Sequence, residues 1–342
     1  MTPGADSLLE NCVAEHHPCA EQTDVLKLVA QGHNVFYTGA AGTGKSTVLR
    51  AMVQYLHAHS RDRVIETISS TGITALNIGC RTIHSFAKWG LTVDEKSAKK
   101  VRTDAGRQRV WETLHELEVL IVDEISMMCS KTLTRLESVL QHVMKNTVPF
   151  GGVQMIIAGD FFQLPPVKPF NKCHECGMQT QQQKDKPKQW ERPKHAIYHD
   201  DDKWAFRSQV WDDLSLRCKQ LVQIHRQFDP TFTAFLNKYR VGTQLMVAED
   251  NLLWEHISHV GDDAIRIYPR RGTVDDLNAA RLAKLKGIVY TLPCVDSCHW
   301  NGNEDDHKRY ELAKRWRRVE PGNDVSPFQA WTLDRHRYDE AF

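Results

Sequence analysis

The sequence has no long hydrophobic run. No segment approaches the roughly 18 to 20 consecutive apolar residues of a membrane-spanning helix. Residues 1–20 contain neither the apolar core of a signal peptide nor the arginine-rich pattern of a transit peptide. These absences argue against a membrane protein and against a secreted one. We expect an intracellular, soluble protein that does not bind a membrane.

Positive and negative charges also nearly balance, so the chain has almost no net charge. The 342 residues carry a formal net charge of +1, and 41% are hydrophobic while 25% are charged. This is the composition of a globular protein of one large or two ordinary domains, and it excludes disorder throughout. Because there is no basic excess, any binding to nucleic acid has to come from a local patch.

The cysteines give no sign of a disulfide framework. There are nine, an odd number, and they are scattered along a chain without internal repeats. This distribution favours reduced thiols or a metal site.

A phosphate-binding loop is the strongest positive signal. Residues 39–46 fill the pattern Gly-x-x-x-x-Gly-Lys-Ser after the apolar run 34–37, and a helix-like segment follows. In such loops the lysine reaches the outer phosphates and the serine ligates magnesium. A chance glycine-rich turn is the alternative, but the strand-loop-helix context disfavours it. We therefore expect ATP and Mg²⁺ to be bound by Gly39, Ala40, Ala41, Gly42, Thr43, Gly44, Lys45, Ser46 and Thr47.

Polar side chains follow two further apolar runs. Residues 119–122 lead into Asp123 and Glu124, and residues 153–158 lead towards Asp160 and Gln163. In a phosphate-loop ATPase the first acid would hold magnesium and the second would orient and deprotonate water. Gln163 could sense the γ-phosphate. An acidic pair that merely ends a strand and a simple Gly-Asp turn are the structural alternatives.

Apolar runs and helix-like segments alternate from about residue 22 to 160, which predicts an α/β fold with a parallel sheet. The predicted elements are strands at 35–37, 64–68, 118–122 and 153–158 and helices at 45–58 and 131–144. A second alternation follows, with a helix at 231–240, a strand at 265–268, a helix at 273–285 and a strand at 288–292. The polar, lysine-rich segment 88–110 reads as a surface insertion.

The motifs occur in the order seen in one helicase family. The phosphate loop is followed by the segments 70–79 and 82–86, then by 122–127, 159–167 and His225-Arg-Gln227. Together they resemble the Pif-type (petite integration frequency) helicases of superfamily 1B, and the likeness runs from Gln22 to about Leu285. The resemblance implies two RecA-like domains that close on ATP.

The resemblance also implies an activity: ATP-driven 5′-to-3′ movement on single-stranded DNA and on 5′-tailed or structured DNA. It further implies a role in DNA repair, recombination and telomere maintenance, in the nucleus, the mitochondrion or both. By motif position, Gln22 would read adenine and Arg226 would act from the second domain as an arginine finger. The DNA channel would be lined by Thr71, Gly72, Asn77, His84 and Phe86.

Structural alternatives exist for these motif residues. The threonine segment could be a helix N-cap, the phenylalanine could be a packed core residue, and the Arg-Gln pair could be an ordinary surface feature. The lysine-rich insertion resembles the place of the family's small strand-separating domain, and it could equally be a solvated charged face.

The sequence departs from the family after residue 285. Neither the His-Lys-Ser-Gln-Gly-type nor the Tyr-Val-Ala-Leu-Ser-Arg-type motif occurs. We therefore expect an N-terminal extension (1–20), a first RecA-like domain (21–167), an inserted loop (168–203), a segment that ends domain 1 and begins an incomplete second RecA-like domain (204–300), and a divergent end (301–342). A truncated ATP-binding, single-stranded-DNA-binding remnant without unwinding activity is the alternative function. An unrelated phosphate-loop kinase or metabolic ATPase is a third, and we expect a monomer.

The inserted loop contains metal-ligand spacing. Cys173 and Cys176 form Cys-x₂-Cys, and His195 and His199 form His-x₃-His. Four such ligands could hold Zn²⁺ tetrahedrally. The intervening sequence is glutamine-rich, so a disordered loop with incidental ligands is the alternative.

Overall fold

The computed structural model describes residues 3–59, 64–89, 96–105, 111–112, 114–167, 170–247, 251 and 266–284. They divide between two compact units, Met1–Leu245 and Met246–Phe342. The helices of the first unit are α1 (Pro3–His16), α2 (Ala20–Ala30), α3 (Lys45–His59), α4 (Gly72–Ile78), α5 (Ile83–Phe86), α6 (Ala98–Ala105), α7 (Ser130–Met144), α8 (Gln209–Asp213) and α9 (Pro230–Arg240). Among the described residues, no helix is long and apolar enough to cross a membrane.

A six-stranded parallel sheet forms the centre of this unit. Its strands are β1 (Val35–Gly39), β2 (Val64–Ser69), β3 (Arg81–Thr82), β4 (Leu117–Asp123), β5 (Gln154–Ala158) and β9 (Arg217–Leu221). They lie in the order β3-β2-β4-β5-β1-β9. In register, Val35 pairs with Ile156 and with Arg217, while Ile121 lies between Thr67 and Ile156. The predicted α/β parallel sheet is confirmed.

Apolar residues cover both faces of the sheet because strand side chains alternate. On β4, Val119 and Ile121 pack with α1, α2 and α3, whereas Leu120 and Val122 pack with α5, α6 and α7. This two-sided burial explains the continuous apolar run that made β4 predictable. Because these strands are parallel, the carboxyl ends of β1, β2, β4 and β5 lie at the same edge of the sheet.

The N-terminal extension is part of this core. In α1, the buried Cys12 thiol donates to the Ala51 carbonyl over 3.2 Å, and the Glu15 carboxylate accepts from the Gln54 amide over 2.6 Å. Both partners lie on α3. Within the described part of the extension, α1 therefore packs against α3.

The inserted segment is folded, so the expectation of a long loop at 168–203 is wrong for the described residues 170–203. Strands β6 (Gln181–Gln182), β7 (Gln189–Arg192) and β8 (His195–His199) form an antiparallel sheet in that order. Three aromatic rings pack together in it: the Phe170 ring lies 4.9 Å from that of Trp190 and 4.8 Å from that of Tyr198. We call residues 170–199 the insert sheet.

The lysine-rich insertion is partly structured. In α6, Val101 and Ala105 are buried in the core, and the Asp104 carboxylate pairs with Lys96 at 3.0 Å and Lys100 at 3.3 Å. This packing shows that α6 is not wholly a solvated charged face. Residues 90–95 and 106–110 lie outside the described residues.

In the second unit, α10 (Arg271–Lys284) agrees with the predicted helix. The predicted strand at 265–268 is wrong for residues 266–268, which have no regular secondary structure. Ile265 and the predicted strand at 288–292 lie outside the described residues. The second RecA-like domain therefore stays a prediction.

Candidate functional site

The phosphate loop joins β1 to α3 at the carboxyl edge of the sheet. Gly42 and Gly44 have φ values of +89° and +80°, and a Cβ at Gly42 would lie 2.7 Å from Cβ of Arg226. These positions need glycine because other residues rarely adopt this conformation. The Thr43 hydroxyl donates to the Ala40 carbonyl over 2.9 Å, which closes the curl.

The Lys45 ammonium lies inside this curl. Its Nζ donates to the Gly39 carbonyl over 2.7 Å and to the Ala40 carbonyl over 3.2 Å. Burial lowers the pKa of Lys45, and the nearby carboxylates of Asp160 and Glu124 oppose this effect. The ammonium is thus held beside acidic groups in the loop that was predicted to take phosphate.

Asp123 ends β4 next to this loop. The residue is 4% exposed, and burial, followed by the charge of Glu124, raises the pKa of Asp123 to about 6. Glu124 has a left-handed backbone, with φ 54° and ψ 50°. That conformation costs a non-glycine residue about 1–2 kcal/mol, and such strain clusters at functional sites. The Ser70 hydroxyl donates to the Glu124 carbonyl over 2.8 Å and supports this turn.

The side chains of Asp123 and Ser46 are suitable oxygen ligands for magnesium. Mg²⁺ prefers oxygen ligands and is commonly held by one or two carboxylates together with phosphate oxygens. Asp123 supplies a buried carboxylate, and Ser46 has an exposed position at the start of α3. The residues present therefore fit the ion that the sequence predicted.

Asp160 makes a contact that the sequence did not reveal. Its side chain is fully buried and accepts two hydrogen bonds from Arg240 on α9, at 2.7 Å from Nε and 2.6 Å from Nη2. Burial acts to raise the pKa of Asp160, but the hydrogen bonds and charge of Arg240 outweigh it and leave the pKa low. Gln163 Nε2 lies 3.5 Å from the same carboxylate, and the Arg240 guanidinium lies 4.6 Å from the centre of the Phe162 ring.

Gln22 supports the phosphate loop. Its amide nitrogen donates to the Thr43 carbonyl over 3.1 Å, its amide oxygen accepts from the Cys19 N–H over 3.0 Å, and the residue is 4% exposed. Its hydrogen-bonding groups thus tie α2 to the loop. Recognition of adenine by Gln22 stays a prediction.

Arg226 also lies at the loop. It follows β9, and the N–H of the preceding His225 donates to the Gly42 carbonyl over 2.8 Å. The expectation that Arg226 comes from the second domain is wrong, because β9 pairs with β1 and the boundary between the units falls after Leu245. Its exposed side chain starts from the same unit that carries the loop.

The predicted DNA residues separate into two groups. Thr71 caps α4, with its hydroxyl accepting from the Thr74 N–H over 3.3 Å, and Gly72 and Asn77 are exposed on that helix. His84 is exposed near Trp89, with ring centres 5.9 Å apart.

Phe86, in contrast, is 0% exposed and packs in the core. Stacking of Phe86 on a base is therefore wrong, because α5 turns its ring inward.

The predicted zinc ligands also separate. Ligand atoms of Cys173, Cys176 and His195 lie within 4.8 Å of one another. His199 is not in this group: it ends β8, and its backbone N–H donates to the Asp202 carboxylate over 2.7 Å. The predicted four-residue set is thus corrected to three.

Comparison with known proteins identifies the family. A model of the PIF1-like helicases matches residues 19–196. The chain belongs to this family. An ATP-dependent DNA helicase PIF1 of Saccharomyces cerevisiae is 37% identical over 284 residues, which are 81% of this chain and 29% of that protein. An Emericella nidulans helicase of the same name is 33% identical over 81% of this chain and 34% of its own length.

Solved PIF1-like helicases have the same architecture. A Candida albicans Pif1 helicase matches with a TM-score of 0.67 and 29% identity, over 86% of this chain and 60% of that one. A Bacteroides Pif1 helicase in complex with ADP-AlF₃ and single-stranded DNA matches with a TM-score of 0.61 and 28% identity, over 80% of this chain and 58% of that one. These neighbours support the RecA-like phosphate-loop assignment. The chain spans about a third of the length of the curated relatives named above.

Proposed function

We propose that this chain acts as an ATP-dependent DNA helicase motor that moves 5′ to 3′ along single-stranded DNA. The observation that carries the proposal is the convergence of Lys45, Asp123, Glu124 and Asp160 at one sheet edge, in a PIF1-like helicase. The yeast relative's name and the single-stranded DNA bound to the Bacteroides relative support the same substrate class.

Each group at the sheet edge has a proposed role in ATP hydrolysis. Lys45 would leave the loop carbonyls to neutralise phosphate charge, and Ser46 and Asp123 would hold Mg²⁺. The ion, when bound, supplies electrostatic stabilisation of the transferring phosphoryl group. Glu124 would accept the proton of the attacking water, because a carboxylate beside the phosphate loop can act as a general base.

Gln163 and Arg226 would both respond to the γ-phosphate. Gln163 and Arg240 both contact the Asp160 carboxylate. A movement of Gln163 would therefore be transmitted to α9 through the ion pair between Asp160 and Arg240. Arg226 would supply the charge of an arginine finger, which contributes about 10³-fold or more to phosphoryl transfer. We propose that these two residues link the phosphate state to movement.

The DNA contact is proposed for the exposed surface of α4 and α5. Thr71, Gly72 and Asn77 offer hydroxyl, backbone and amide groups, which hold phosphates without reading sequence. His84 offers a ring on which a base can stack. Roles in repair, recombination and telomere maintenance, location in the nucleus, the mitochondrion or both, and a monomeric state stay predictions.

The direct test is an unwinding assay with two matched duplexes, one with a 5′ single-stranded tail and one with a 3′ tail of the same sequence. We expect ATP-dependent strand separation on the 5′-tailed duplex alone, abolished in Lys45→Ala. Unwinding of the 3′-tailed duplex at the same rate would contradict the direction. Tight binding of ATP and DNA without unwinding would favour the alternative, a nucleotide-dependent DNA-binding protein.

A further inference from the structure

The insert sheet brings three metal-ligating side chains together. Cys173 and Cys176 lie on one turn, which is closed by the Gly177 N–H donating to the Cys173 carbonyl over 2.7 Å and by the Cys173 N–H donating to the Met178 carbonyl over 2.8 Å. His195 begins β8 and approaches this turn. Side chains from two separate parts of the insert sheet thus meet at one point.

The orientation of the histidine suits a metal ligand. Its Nδ1 lies 2.9 Å from the Glu175 carboxylate, so we infer that the other ring nitrogen, Nε2, is the metal ligand. Glu175 is in turn fixed by Arg192, whose Nη1 donates to its other oxygen over 2.8 Å. Metal-bound histidines commonly pair their second ring nitrogen with a carboxylate, which sets the ring orientation.

The surroundings favour a metal over a disulfide. Both cysteines are free, and Cys173 is 0% exposed. In a tetrahedral zinc site with Zn–S bonds of about 2.3 Å and Zn–N bonds of about 2.0 Å, ligand atoms lie roughly 3.5 to 4 Å apart. The three atoms here lie within 4.8 Å of one another. Shifts of about 1 Å or less would therefore bring them to the spacing of a zinc site.

The insert sheet has a small apolar core, so a cross-link such as a bound metal would stabilise it. Its buried apolar side chains are few, chiefly Phe170, Cys173 and Tyr198. Units this small commonly rely on a metal or disulfide, because a small apolar core cannot offset the entropy of ordering the chain. A metal between the turn and β8 would join the two ends of the segment.

We propose that Cys173, Cys176 and His195 bind one Zn²⁺ ion, with water in the fourth position. Two thiolates and an imidazole are typical zinc ligands, and binding releases the two thiol protons. The Arg192 guanidinium lies 3.7 Å from the Cys173 sulfur and donates to it, so it remains as a partner of that sulfur. His199 takes no part, although its spacing fits a zinc motif equally well.

The test uses the full chain, purified without chelator and dialysed, with zinc measured by mass spectrometry. We expect close to one zinc ion per chain in the wild type and background levels in Cys176→Ser and His195→Ala. His199→Ala is the matched control, because it removes a histidine from the same strand, and it should keep its zinc. Cys218→Ser controls for loss of an exposed thiol elsewhere.

A second measurement keeps the test valid if a ligand variant fails to fold. Titration of the metal-free wild type with Co²⁺ should give the strong visible absorption of tetrahedral thiolate coordination, and Glu175→Gln should weaken Zn²⁺ binding by about 10- to 100-fold. Absence of stoichiometric zinc and of the cobalt spectrum would overturn the proposal. So would full zinc retention in Cys176→Ser, or a loss in His199→Ala equal to that in His195→Ala.

Discussion

Replacing Asp123 by asparagine should stabilise the metal-free protein while abolishing ATP hydrolysis. Asp123 is buried next to Glu124, and its pKa is raised from the ordinary 3.8 to about 6. The Asp123 carboxyl group therefore binds its proton more tightly in the folded state than in the unfolded state. Ionisation of Asp123 consequently costs folding free energy, and the cost appears as the pH rises from about 4 to about 6 and is complete above that range.

The size of this effect follows from the two pKa values. A difference from 3.8 to about 6 corresponds to about 3 kcal/mol, at about 1.4 kcal/mol per pKa unit. By the same linkage, roughly half of this cost is present at about pH 5. The asparagine side chain of the variant carries no charge at either pH, so the stability gain in Asp123→Asn should double between about pH 5 and about pH 7.5.

The assay is urea unfolding of both proteins without magnesium at these two pH values. Glu10→Gln is the control, because Glu10 is an exposed carboxylate on α1 whose removal should change little. Added Mg²⁺ and a non-hydrolysable ATP analogue should stabilise the wild type more than Asp123→Asn, because the variant lacks one of the two proposed Mg²⁺ ligands. Equal stability of Asp123→Asn and wild type at the higher pH, or a gain that does not vary with pH, would refute the reasoning.

Four further substitutions separate structural from functional roles. Arg240→Met leaves the Asp160 carboxylate buried without its charged partner, so urea unfolding should show a loss of about 3–5 kcal/mol; a loss below about 1 kcal/mol would contradict that role. Phe86→Ala should cost a similar 3–5 kcal/mol of stability, whereas His84→Ala should leave stability unchanged and weaken single-stranded DNA binding by about 1–3 kcal/mol in a fluorescence anisotropy titration. Arg226→Lys should keep ATP affinity but slow single-turnover hydrolysis by about 10³-fold, and a wild-type rate would exclude an arginine finger.

The central strands could be predicted because a strand that is buried on both faces has apolar residues at consecutive positions. β4 and β5 carry that signal most clearly, whereas β1 is short and Glu66 and Thr67 interrupt the apolar residues of β2. β9, in contrast, has the sequence Arg-Cys-Lys-Gln-Leu and lies at the sheet edge, where only Leu221 is buried. A polar edge strand has no apolar periodicity to recognise, so β9 was missed and Arg226 was assigned to the wrong unit.

The candidate site was predictable where its residues are consecutive in sequence. The phosphate loop and the Asp123–Glu124 pair are local patterns, whereas the Asp160–Arg240 ion pair joins residues 80 positions apart. The insert sheet was missed for a related reason, because its core consists of aromatic rings brought together only by folding. Likewise, the inward turn of Phe86 depends on how α5 packs, which its motif does not encode.

The measurement that tests the central claim most directly is steady-state ATP hydrolysis with and without single-stranded DNA, for the wild type and Lys45→Ala. The account predicts hydrolysis that requires Mg²⁺, rises strongly when DNA is added and disappears in Lys45→Ala. Hydrolysis that is insensitive to DNA, or that persists in Lys45→Ala, would contradict an ATP-driven motor on single-stranded DNA.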